Sequence, residues 1–113
     1  MHVTMEHATV GANLVTRLTG ELDLVAAAEF RRVVDDLLDR RKLRHLVVNL
    51  ELVTFLDSSF LGALIGRYKR IHNDGGRLIL VGTPRSVRPT LEAAGLYKIV
   101  TEYPSESDAL AGA

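Results

Sequence analysis

A chain of 113 residues suits one domain, so residues 1–113 read as a single unit with little room for a second. Its 14 basic residues balance 14 acidic ones, which argues against a dedicated nucleic-acid binder, and the lack of cysteine excludes disulfides, thiolate metal sites and a cysteine nucleophile. Aromatic residues make up 5% against 47% apolar overall, so the core has to be built mainly from Leu, Val, Ile and Ala.

The opening residues Met1-His2-Val3-Thr4-Met5-Glu6-His7 lack the basic start and apolar stretch of a signal peptide. No apolar run approaches the roughly 20 residues that span a bilayer, so a cytoplasmic protein with no membrane partner is expected. Residues 2–8 and 13–19 carry short β-type patterns separated by Thr9-Val10-Gly11-Ala12 and predict a strand pair. Gly20 interrupts, and Asp23 stands where a helix N-cap belongs. Phe30, Val33, Val34, Leu37 and Leu38 then recur at the spacing of one helical face, with Arg31, Arg32, Asp35, Asp36 and Asp39 opposite. The basic run Arg40-Arg41-Lys42-Leu43-Arg44 suits the negative end of that helix better than a nucleic-acid patch.

Leu46-Val47-Val48 predicts a short strand buried on both faces. Leu50 to Leu56 leads to Asp57-Ser58-Ser59, where a second helix begins. Leu61, Leu64, Ile65 and Tyr68 give its core spacing, and Asn73-Asp74-Gly75-Gly76 stops it. Leu78-Ile79-Leu80-Val81 predicts another buried strand. Thr83-Pro84 reads as a cap and first helical residue, predicting a helix over 84–94 that Pro89 kinks and Gly95 ends. Lys98-Ile99-Val100-Thr101 predicts a last short strand, and Ser105-Glu106-Ser107-Asp108 the capped start of a final helix. Strands alternating with helices imply βαβ crossovers. The predicted fold is α/β, a small mixed and largely parallel sheet with helices mainly on one face.

In such sheets functional groups gather where strands end and helices begin. Two loops qualify here, Gly20-Glu21-Leu22-Asp23 and Phe55-Leu56-Asp57-Ser58-Ser59. Asp57-Ser58-Ser59 reads as a helix cap, worth about 1 kcal/mol. It also reads as a phosphoacceptor, because a helix N-terminus tolerates a phosphate dianion on Ser58. A serine hydrolase is rejected for want of a Gly-x-Ser-x-Gly turn and of a histidine placed toward Ser58. An aspartyl-phosphate receiver using Asp57 lacks the acidic pair that holds Mg²⁺ after the first strand, where this chain has Glu6-His7-Ala8-Thr9. No glycine-rich phosphate loop occurs. Gly62 and Gly66, four apart in the second helix, are expected to permit close packing.

The segments Arg17-Leu18-Thr19-Gly20-Glu21-Leu22-Asp23, Val47-Val48-Asn49-Leu50, Phe55-Leu56-Asp57-Ser58-Ser59 and Leu61 to Lys69 resemble the STAS-domain anti-sigma-factor antagonists, in particular the sporulation sigma-F type. The similarity runs from about residue 3 to the end and includes Glu92 to Ile99. The resemblance implies a non-enzymatic protein whose unphosphorylated form binds an anti-sigma factor that is also an ATP-dependent serine kinase, freeing the sigma factor. Phosphorylation of the residue matching Ser58 releases it, and a PP2C-type phosphatase restores it. ATP belongs to the kinase, so no cofactor and no metal are implied for this chain. Glu21 and Asp23 are implied to help form the docking surface, and Asp57, Ser59, Leu61 and Arg67 are further candidates for it. Phe60 stands where the family has glycine and is expected to act as an aromatic anchor for the partner or to obstruct the kinase. A STAS module of another signalling or transport assembly is the alternative.

Overall fold

A computed structural model describes residues 3–112 of the chain. Among them, five strands form one sheet in the order β1-β2-β3-β4-β5. β1 (Thr4–Val10) and β2 (Asn13–Leu22) are antiparallel, joined by a tight turn in which Gly11 takes φ 59°. β2, β3 (His45–Leu56), β4 (Leu78–Val81) and β5 (Thr101–Tyr103) run parallel. Of the strand pattern predicted over 2–8, residue 2 lies outside the described residues.

The crossovers are α1 (Leu24–Arg40), α2 (Ser58–Asn73) and α3 (Arg88–Ala93), and α4 (Glu106–Gly112) ends the described chain. Leu14, Leu18 and Leu22 from β2 and Leu46, Val48 and Leu50 from β3 face α1 and α2, where Phe30, Val34, Phe60 and Leu64 meet them. The other side of the sheet carries a smaller core of Val15, Val47, Ile79 and Val81 beneath Ala109 of α4. The helices therefore lie mainly on one face. α4 is fixed by polar contacts at its start. The Ser105 hydroxyl accepts from Asp108 N–H at 3.1 Å. Glu106 takes a two-pronged bond from Arg17 at 2.8 and 2.9 Å and one from Asn49 at 2.8 Å.

β3 is far longer than the apolar run 46–48 predicts, and the reason is irregular. Arg17 pairs with Asn49 but Thr19 with Leu52, and Gly20 pairs with Val53 but Glu21 with Phe55. β3 thus carries two extra residues relative to β2. Each bulge shifts the in–out alternation, so Leu50, Val53 and Leu56 point into the core, while Leu52 and Phe55 are turned to solvent.

Other elements differ from expectation in ways that local chemistry explains. The helix expected from 84 starts at Arg88, after a turn in which Val87 and Arg88 N–H both reach the Pro84 carbonyl at 3.0 Å. Pro89 then occupies the first helical turn, where its missing N–H would have had no partner, and it makes no kink. Leu96–Lys98 form a 3-10 turn after Gly95 at φ 74°, and the last strand begins only at Thr101. The buried face of α2 is Phe60, Ala63, Leu64 and Ile71, with Leu61, Ile65 and Tyr68 at its half-buried flank. Gly62 and Gly66 do not serve close packing, since a Cβ on either would meet nothing within 4 Å.

Candidate functional site

β2 and β3 are neighbours that end level with each other, Leu22 beside Leu56, and Asp57 N–H donates to the Leu22 carbonyl at 3.1 Å. Each strand runs directly into a helix capped by an aspartate. Asp23 Oδ1 accepts from Ala26 N–H at 3.0 Å, and Asp57 Oδ1 accepts from Phe60 N–H at 3.1 Å. Two helix N-termini therefore stand side by side at the end of the sheet, each offering the positive end of its dipole. The caps satisfy the third N–H of each helix. Those of Leu24 and Val25 in α1, and of Ser58 and Ser59 in α2, precede the intrahelical ladder and face outward.

Ser58 is the first residue of α2 and is exposed, while Ser59 is half-buried. Asp57 and Glu21 are half-buried and Asp23 is exposed, so three carboxylates surround the Ser58 end of the sheet. None of the three has an ion-pair partner among the described residues. Leu61 is half-buried against the edge of the core. A cleft of about 620 Å³ opens beside the start of α1, lined by Val3, Met5, Glu21, Asp23, Val25, Ala26 and Glu29.

Two expected docking residues lie elsewhere. Phe60 is 0% exposed, its ring packed on Phe30 with centroids 4.9 Å apart. It is a core residue, and neither an anchor for a partner nor an obstacle on the surface. The helical phase explains this, because the third residue of α2 points to the sheet when Ser58 points to solvent. Arg67 lies in the seam between α1 and α2, its Nε 3.1 Å from Asp35 Oδ1 and its side chain 13% exposed. Burial lowers its pKa, opposed by Asp35 and reinforced by Arg31 and Arg70. Nε and Nη1 are buried without a well-directed acceptor. Arg67 thus joins α2 to α1 and does not present its charge beside Ser58.

The structure adds residues that the motif reading missed. Leu24 and Val25 are 65% and 76% exposed on the first turn of α1, and Phe55 is 49% exposed at the end of β3. The signal for the first two was available, since neither falls on the face defined by Phe30, Val34 and Leu38.

His7 shares a hydrogen bond with Thr16 at 3.1 Å, His45 Nδ1 accepts from Arg77 N–H at 3.1 Å, and His72 stacks on Tyr68. Each is engaged away from Ser58. No group of three or more His, Cys, Asp or Glu suited to a metal ion occurs among the described residues.

The STAS domain model matches residues 4–109. Over 110 residues the chain is 36% identical to the anti-sigma F factor antagonist of Paenibacillus polymyxa, spanning 97% of this chain and 92% of that protein. The fold superposes on the anti-sigma factor antagonist SpoIIAA in its unphosphorylated form with a TM-score of 0.86 and 27% identity, covering 95% of this chain and 93% of that one. On the Bacillus cell fate determinant SpoIIAA in the phosphorylated form the TM-score is 0.76 at 26% identity, covering 96% of each chain.

Proposed function

The chain belongs to the STAS domain family, and from that premise we propose that it is an anti-sigma factor antagonist whose binding is switched off by phosphorylation of Ser58. Its partner is an anti-sigma factor that doubles as a serine kinase, and a PP2C-type phosphatase resets it. Its relatives include antagonists of sigma-F and of sigma-B anti-sigma factors, which fits a role in sporulation or stress transcription. The protein contributes a docking surface and a hydroxyl, with no catalytic step of its own. No helix among the described residues is long and apolar enough to cross a membrane, and the proposed location is the cytoplasm, where the kinase and its ATP are found.

One observation carries the reading. The Ser58 hydroxyl is exposed as the first residue of α2, at an end of the sheet where Asp23 and Asp57 already cap two adjacent helices. A neutral hydroxyl there can be covered by a partner at little cost. A phosphate adds about two negative charges. It meets the carboxylates of Asp23 and Asp57 and must be desolvated when a partner docks. An unpaired buried charge costs several kcal/mol, which weakens association by about 10³-fold or more.

The test is incubation with the cognate kinase and ATP, followed by intact-mass measurement. The wild type should gain one phosphate and Ser58→Ala none. In calorimetry Ser58→Asp should bind the kinase far more weakly than wild type while its urea midpoint is unchanged. Phosphate that still appears on Ser58→Ala would refute the site. Acetyl phosphate labelling lost only in Asp57→Asn would move the assignment to a receiver.

A further inference from the structure

Exposed large apolar side chains are not spread evenly over this molecule. Among the described residues, Val3, Leu24, Val25, Leu52, Phe55, Val10 and Ile99 are the ones in solvent, and the first five belong to the end where β2 and β3 terminate. The strongest case is the pair Leu24 and Val25. A first helical turn needs no apolar residues for its own stability, and these two contribute almost nothing to the core. Val25 also walls the cleft that holds Glu21, Asp23 and Glu29. Among the described residues no arginine or lysine lines that cleft, and of its three carboxylates Glu29 alone has a salt-bridge partner, Arg32 at 2.7 Å.

We infer that the exposed step Leu24-Val25, with the acidic cleft beside it, determines affinity for the anti-sigma factor by receiving a segment that carries apolar side chains next to arginine or lysine. This inference rests on the proposed docking role of the Ser58 end and names the chemistry of what docks there. An acidic cleft with apolar walls is complementary to a basic, partly apolar segment and repels an acidic one. Leu24 stands on the first turn of α1, whose start adjoins that of α2, while Val25 and the cleft lie on the β1 side of that turn, so a segment seated across them reaches from the edge of the sheet toward the start of α2. Centrally placed apolar anchors of this kind carry most of the affinity of an interface.

The experiment compares wild type, Leu24→Ser/Val25→Ser and Ser58→Asp by calorimetry against the cognate anti-sigma factor at two salt concentrations, with urea midpoints and sedimentation of each free protein. The double variant is expected to lose about 30-fold or more in affinity, from the apolar area left uncovered. Its urea midpoint should match wild type because neither side chain is in the core. Wild-type affinity should fall as salt rises, as two oppositely charged surfaces require. Unchanged affinity in the double variant, with Ser58→Asp still impaired, overturns this inference and leaves the Ser58 switch standing. Failure of wild type to bind the anti-sigma factor overturns both. Self-association of wild type that the double variant loses, with anti-sigma affinity unchanged, assigns the patch to a second copy of the chain and also overturns it.

Discussion

Phe60 offers the sharpest test of how the switch helix is held. The ring is fully buried, 4.9 Å from the Phe30 ring at an interplanar angle of 49°, a tilted pair that joins α2 to α1 above the sheet. Truncation to alanine should cost about 3–5 kcal/mol, combining lost transfer energy with the cavity left behind. Roughly 1 kcal/mol of that belongs to the aromatic pair itself. A domain of this size has about 5–15 kcal/mol in total, so Phe60→Ala should approach the edge of stability. The informative measurement is therefore a urea-unfolding cycle with Phe60→Leu, Phe30→Leu and the double variant. The coupling energy should be about 1 kcal/mol. Because Phe60 presents no surface, Phe60→Leu should bind the anti-sigma factor within about threefold of wild type. Coupling near zero, or a tenfold loss of binding without loss of stability, would show that the side chain works at the surface and that the core assignment is wrong.

Three further outcomes follow from the same structure. Gly62→Ala should stabilise the protein by about 1 kcal/mol in urea unfolding, since a Cβ there meets nothing and helix propensity rises. Gly76→Ala should prevent stable folding, because its Cβ would fall 1.8 Å from the Arg44 carbonyl oxygen, a backbone atom that cannot step aside. Equal effects of the two would refute the assignment. The attachment of α4 should depend on pH through Glu106, whose pKa is lowered from 4.5 chiefly by the hydrogen bond from Arg17. A depressed carboxylate stabilises the fold above its unfolded pKa and ceases to do so as pH falls through the folded value. The difference in Tm between wild type and Glu106→Gln should therefore be largest near pH 6–7 and shrink below about pH 4.5. A difference that is constant across that range would show that the ion pair is not what holds α4.

Much of this architecture is legible in the chain because single residues mark it. Asp23 and Asp57 cap their helices as read, Gly95 ends a helix in the left-handed conformation, and Leu78 to Val81 is buried on both faces of the sheet. What could not be read in β3 is a local pattern that only pairing defines. Residues 50–56 do not alternate because two bulges are set by the register against β2, and no period-2 template finds a strand whose phase slips twice. Pro89 reads as a helix breaker until the helix start is known, after which it is an initiator. The inward orientation of Phe60 follows from the phase of α2, which is set by where Ser58 starts the helix. Leu24 and Val25 carry no packing signal, because they lie outside the face of α1 that Phe30, Val34 and Leu38 define.

That separation of packing from docking explains how a phosphate can alter association and leave the fold alone. The third N–H of α2 is already taken by Asp57, so phosphorylation need not displace the cap. The first two N–H groups lie within reach of a phosphate on Ser58 and can compensate part of its charge. Beneath them, Phe60, Ala63 and Leu64 fix the helix through contacts that no surface charge touches. Stability is thus supplied from one side of α2, and the proposed docking uses the other. A charge added at the helix start that Asp57 caps works against any partner that has to cover it, and it leaves the contacts of the core as they were.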